Sequence, residues 1–421
     1  MEPLSGRIRN YAWGSRTHLA AMRGHQVPSA HPEAELWFGA HRDEPSRLPE
    51  RDGAPLTDAV SADPVGVFGL LRARRWEGRL PFLLKVLAAD EPLSLQAHPS
   101  PEQALAGHTR EEAAGIPRAG AERNYPDPLP KPEVLCALGE FHALAGFRAP
   151  ADTLRLLRAL DEGSGGALAH HVALLAAQPD ADGLRALFTT WITLPQRAVD
   201  ALVPAALAGC VAHAARGAAA EFAVDVRTVL DLGERYPGDA GVLAALLLNR
   251  VVLAEGECLY IPAGSPHAYL SGWGIELMAN SDNVLRAGLT PKHVDVPELL
   301  RVLDFAPGPP ERILPVVDGP RALYTAPCEH FVLLRLTLES PGRAVGLGLG
   351  GPRIVVCVRG AVRVHTGHGT SRRAAAGEAL WLPARDGEVR VEADGAPALA
   401  FAAADGLDEL GGLDGPGGSG G

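Results

Sequence analysis

The strongest constraint on the fold of this chain is a change of apolar period near residue 150 and a change back near residue 247. Between them the composition turns rich in Ala and Leu, and apolar residues recur at helical spacing, as in Leu154, Leu157 and Leu160. Several helices are expected over 151–247, with Asp152 after Pro150 as the first N-cap and breaks at Gly163–Gly166, Pro179–Gly183 and Pro237–Gly238. Both flanks read as strands. PFLLKVL (81–87) and LSLQAH (93–98) precede the helical stretch, and RVVLAEGECLYIPAGSPHAYL (250–270) follows it, with EGE and PAGSPH as turns. Beyond about residue 320, FVLLRLTL, RIVVCVRGAVRVHTG and EVRVEA are again strand-like and separated by Gly turns. Many short strands with Gly and Pro punctuation predict a barrel or jelly roll. The expected fold class is mainly β with an α-helical insertion.

At 421 residues the chain is long enough for two or three domains. Its net charge of −11 and the absence of any Lys/Arg block leave no nucleic-acid footprint. The start, MEPLSGRIRNYAWGS, lacks an apolar signal core, and no window approaches the roughly 18 uninterrupted apolar residues of a membrane span. Five cysteines, an odd number with no CxxC pair, do not make a disulfide framework, and a reducing cytoplasm is expected. FAPGPPER (305–312) reads as a linker, and the Gly-rich tail 409–421 is expected to be disordered.

LSLQAHPS places Ser94, Gln96 and His98 at alternate positions, so a strand here points all three one way. Buried polar groups need partners, and a metal is one such partner. Read alone, the segment fits a hydrogen-bonded core pair at least as well. Glu133 opens an apolar run in KPEVLCAL, and His267 follows a Pro/Gly turn in SPHAYL. Two imidazoles, a carboxylate and an amide form a reasonable zinc set with an open position. Without Gln96, the two His and one Glu also fit a non-haem Fe(II) triad.

NYAWGS (10–15), ELWFGAH (35–41), PFLLKVL (81–87), LSLQAHPS (93–100), NYPDPLPKPE (124–133) and YPGDAGVLAALLLN (236–249) occur in that order. GECLYIPAGSPHAYLSG (256–272) and ELMANSDNVLRAGLTPKHVD (276–295) complete the series. The ordered set resembles the type I mannose-6-phosphate isomerase family of the cupin superfamily, densely over residues 5–300. The resemblance implies a catalytic cupin barrel in two parts, 1–150 and 248–310, around a helical insertion at 151–247, with a C-terminal cupin-like barrel at 311–408. It implies one Zn²⁺ per chain on Gln96, His98, Glu133 and His267. It gives Arg286, Glu276 and Lys131 catalytic roles, and Ser94, Lys85, Lys292 and Asp282 substrate-binding roles. The implied reaction interconverts mannose 6-phosphate and fructose 6-phosphate through an enediolate, with the sugar phosphate as the partner of a cytoplasmic monomer. A non-catalytic sugar-phosphate-binding cupin and an Fe(II) cupin oxygenase are the rival readings.

Two segments depart from the family pattern. Pro130 stands where many members carry a His before the Lys of KPE, and Ser100-Pro101 replaces an Asp-Lys pair after QAHP. Lys85, among Leu84, Val86 and Leu87, also fits a cation that snorkels from a strand. Tyr269 fits either a pocket wall or a packed barrel aromatic. His365 and His368 read as surface residues of a C-terminal barrel without a ligand cluster.

Overall fold

In the computed structural model, which describes residues 1–410, the long strand His267–Ala279 organises the first barrel. Its first part pairs with Phe141–Phe147 and with Gln96, and its second part with Phe82–Ala89 and Glu133–Ala137. The two parts meet at Gly272, whose φ of 113° suits glycine, and a Cβ there would lie 2.6 Å from the Glu140 carbonyl oxygen. One bent strand therefore serves both halves of an eleven-stranded, mainly antiparallel arrangement.

Alternation assigns the faces. Leu95, Ala97, Ala268, Leu270, Leu285 and Ala287 face outward and join the core of the helical segment. Leu87, Leu135, Ala137, Phe141, Ala143 and Tyr269 fill the barrel interior. The helices Pro150–Asp161, Ala169–Ala177, Ala181–Ile192, Gln196–Ala214, Ala223–Arg235 and Gly241–Ala245 cover the outer face. Gln196–Ala214 is long and apolar enough by composition to cross a membrane, but it buries Val199, Val203, Ala206 and Cys210 in this core.

Several local expectations are corrected. Asp152 is not the N-cap, because the helix starts at Pro150 after Ala149, which puts Asp152 in the first turn. Gly183 lies inside Ala181–Ile192, and the break falls at the preceding residues, where the Asp180 side chain caps the helix. A helix the strand reading passed over, Pro101–Ala113, starts from a Ser100/Gln103 capping box.

The C-terminal barrel packs a seven-stranded sheet on a four-stranded one around Val332, Leu334, Val355, Val364, Val391 and Ala400. Two segments cross the boundaries expected from sequence. Glu2–Leu4 pairs with Ala379–Leu382 in the C-terminal sheet, and Arg312–Ile313 pairs with Cys258–Leu259 in the first barrel. The expected linker accordingly ends in a strand. Glu409 and Leu410 belong to the short helix Leu407–Leu410, and the rest of the expected tail lies outside the described residues. The fold is thus mainly β, with cupin or jelly-roll barrels and a helical insertion.

Candidate metal centre and active site

Strand register builds the site. Arg286, Gln96 and His267 form one row across three neighbouring strands, Arg286 opposite Gln96 and Gln96 opposite His267. Their sequence neighbours Leu285, Ala287, Leu95, Ala97 and Ala268 point to the helical core, so all three turn the other way. Ser94 stands two residues before Gln96 and is half-buried. His98 follows the strand, and Glu133 enters from the start of Glu133–Ala137.

His98, Glu133 and His267 are fully buried, with ligand atoms within 4.8 Å of one another, and they are the one such group of three among the described residues. His98 Nε2 lies 3.3 Å from Glu133 Oε1, and His267 Nε2 lies 3.6 Å from Glu133 Oε2. The Gln96 amide nitrogen is 3.3 Å from His267 Nε2, and a half-turn of the amide brings its oxygen there instead.

The other ring nitrogens fix the tautomers. His98 Nδ1 donates to the Asn283 carbonyl at 2.8 Å, and His267 Nδ1 to the Ser265 carbonyl at 3.1 Å. A carbonyl oxygen only accepts, so both Nε2 atoms turn lone pairs inward. Burial, helped by Lys131, holds the His98 pKa down to about 4, which keeps the ring neutral at pH 7. Burial would raise the Glu133 carboxyl, but Lys131 and then His98 outweigh it and hold that group well below its ordinary range. Lone pairs therefore converge on a carboxylate, and His98 Nε2 and Glu133 Oε2 are left without hydrogen-bond partners. A cation among them relieves this, and two imidazole nitrogens with one or two oxygens suit zinc.

Lys131 Nζ sits 3.1 Å from Glu133 Oε1. Lys85, opposite Glu276 on the neighbouring strand, is buried with Nζ 2.8 Å from Glu276 and 3.6 Å from Glu35. The ammonium also lies over the Trp37 ring. Lys85 therefore does not snorkel. Its pKa is raised, because the attraction of Glu276, Glu35 and Glu133 exceeds the effect of burial. Burial raises the Glu276 carboxyl, and Lys85 pulls it back only in part. Tyr269 is a packed interior aromatic, edge-on to Phe141.

Asp282 stands apart from the zinc-fitting cluster. It pairs with His41 at 2.9 Å and Arg118 at 3.2 Å, at the wall of a cavity of about 880 Å³ that also includes Pro130. Arg286 is half-buried and has no ion-pair partner among the described residues; burial lowers its pKa. Lys292 is exposed, and its pKa is lowered by partial burial and then by the charge of Arg286. Sequence reasoning passed over Glu35, Trp37 and His41, although ELWFGAH carries two polar groups and a Trp in an otherwise apolar run. In the C-terminal barrel His365 pairs with Glu392, and His368 is exposed.

A cupin-type barrel with a buried His–Glu–His cluster, and an arginine nearby that has no ion-pair partner among the described residues, suits a metal-dependent enzyme. The chain belongs to the type I mannose-6-phosphate isomerase family. Residues 1–150 match the family model for the phosphomannose isomerase type I catalytic domain. Mannose-6-phosphate isomerase from Salmonella typhimurium is 39% identical over 86% of this chain and 89% of its own. The Escherichia coli protein of that name is 36% identical over 94% and 98%, and the human one 32% identical over 86% and 88%. A solved point mutant of phosphomannose isomerase from Salmonella typhimurium superposes with a TM-score of 0.86 at 33% identity, covering 96% of this chain and 99% of that one. A mannose 6-phosphate isomerase bound with zinc and yttrium gives 0.84 at 35%, covering 96% and 98%. The activity is that of an aldose–ketose isomerase.

Proposed function

We propose that this chain interconverts mannose 6-phosphate and fructose 6-phosphate through an enediolate, using one zinc ion held by Gln96, His98, Glu133 and His267. The observation that carries this reading is the convergence of two Nε2 lone pairs on the buried Glu133 carboxylate, whose Oε2 has no hydrogen-bond partner. Bound zinc supplies a Lewis acid that polarises a carbonyl. The remaining work falls to side chains. Arg286, cationic at any useful pH and with no carboxylate to neutralise it, stabilises the negative charge of the enediolate. Lys292 and Ser94 hold the phosphate. Lys131 and Glu276 are the groups that move the proton between carbons 1 and 2, since Pro130 cannot. Burial that raises the Glu276 carboxyl brings it closer to the range of a useful general base. Lys85 then acts on the substrate indirectly, by fixing Glu276. Asp282 with His41 and Arg118 shapes the rim. Buried free thiols suit work in a reducing cytoplasm, and the unit proposed is a monomer.

The test is isomerisation in deuterated water. Proton transfer through an enediolate places solvent deuterium on carbon 1 of fructose 6-phosphate in at least part of the product. Complete transfer of the hydrogen from carbon 2, with no solvent label, would instead indicate a hydride shift.

A further inference from the structure

A second chemical feature lies on the opposite face of the strand that carries Glu133. Along Glu133–Ala137 the odd-numbered residues face the barrel interior, while Val134 and Cys136 face the core shared with the C-terminal barrel. Cys258, on Cys258–Ile261, is directly opposite Cys136 in the antiparallel register and joins the same core. The Ala137 amide donates to the Glu257 carbonyl at 2.9 Å, and the Tyr260 amide turns away to the Glu311 carbonyl at 2.8 Å. Cys136 and Cys258 therefore occupy a non-hydrogen-bonded pair, where Cα atoms stand about 4.5 Å apart and side chains are closest. That separation is within the range of about 4.4–6.8 Å that a disulfide spans. Both residues are free thiols buried in this core, so a hydroperoxide reaches them when the junction with the C-terminal barrel opens locally.

We propose that Cys136 and Cys258 are a site of reversible disulfide formation by a hydroperoxide, stapling the two strands beneath the C-terminal barrel. Cys136 is the attacking sulfur. A hydrogen bond from Cys258 holds its thiol below the ordinary value against the effect of burial, with help from Tyr324 and Arg335, whereas the Cys258 thiol is pushed up. The Cys136 thiolate attacks one peroxide oxygen, an S–O bond forms, the O–O bond breaks, and hydroxide leaves to become water. The Cys258 sulfur then attacks the Cys136 sulfenic acid. The S–S bond forms, the S–O bond breaks, and a second water leaves carrying the Cys258 proton. Two thiols and one hydroperoxide thus give one disulfide and two waters, or one water and an alcohol for an alkyl hydroperoxide. The closed loop contains the whole helical segment, so the bond limits the unfolded chain. It lies on the face away from Glu133, so isomerase activity persists.

The experiment treats the zinc-loaded enzyme with hydrogen peroxide, blocks remaining thiols by alkylation, and maps unreduced peptides. The expected result is a linked Cys136–Cys258 peptide that dithiothreitol separates, together with a rise in the unfolding midpoint that the same reductant reverses. Cys258→Ala abolishes both and leaves Cys136 as a sulfenic or sulfinic acid; if this variant fails to fold, the wild-type peptide map decides alone. Recovery of Cys136 and Cys258 only as separate alkylated or oxidised peptides, or linkage of either to Cys328, overturns the proposal.

Discussion

Arg286 and Lys292 differ in what surrounds them. Arg286 lies in the row with Gln96 and His267, and burial without an ion-pair partner among the described residues fits the role proposed for it, a cation aimed at developing charge. Arg286→Ala should lower kcat by about 10²–10³ with zinc content unchanged, and Lys should substitute poorly because its ammonium lacks the planar fork. Lys292→Ala should raise KM more than it lowers kcat, as loss of uniform phosphate binding would. Steady-state kinetics on both variants check this, and an Arg286→Ala that changes only KM would recast Arg286 as a phosphate clamp. Lys85 presents a different case. Lys85→Met leaves Glu35 and Glu276 buried without their cation, and should cost about 3–5 kcal/mol of stability in denaturant titration. The Gln96/His98 spacing was legible in the eight letters LSLQAHPS, although the strand itself, Leu95–Ala97, holds only Gln96. The Glu35–Lys85–Glu276 chain was not, because its members sit on separate strands and each reads alone as a stray charge in an apolar run.

At the scale of elements, the helical segment was legible from its period, and its breaks only partly so. Pro150 and Asp152 each suit a helix start. The chain resolves the choice with Pro at the first helical position, where the missing N–H costs no hydrogen bond. The bend at Gly272 was not legible, since the strand reading stopped at Leu270 and only the partners of His267–Ala279 show that it serves both halves of the barrel. Two substitutions test the element account. A Cβ at Gly209 would collide with the Leu160 carbonyl oxygen, where Gln196–Ala214 crosses Pro150–Asp161. Gly209→Ala should therefore lose about 1–3 kcal/mol despite its better helix propensity. Ser100→Ala removes one half of the capping box of Pro101–Ala113 and should cost about 1 kcal/mol in thermal or urea unfolding.

For the molecule as a whole, the two barrels share the core around Val134, Cys258, Tyr324 and Phe401, and the first strand of the chain is lent to the C-terminal sheet. Strand patterns announced both barrels but gave no hint of this exchange, because a three-residue strand carries almost no periodic signal. His330 packs against Trp76 at this junction. Burial, then Arg75, pushes its pKa from 6.5 down to about 4. Between those values the unfolded chain binds the extra proton, so stability falls as pH drops from 6.5 to about 4 and then levels. His330→Leu should flatten that part of the unfolding-midpoint curve. The central claim is that the His98–Glu133–His267 cluster works through a single bound zinc. The most direct measurement strips the enzyme with a chelator and adds zinc back, following bound metal and fructose 6-phosphate formation on the same sample. The account predicts activity that rises with zinc and saturates at one ion per chain, and a Glu133→Ala variant that recovers neither. Full turnover by the stripped enzyme, or recovery that does not track bound zinc, would contradict it.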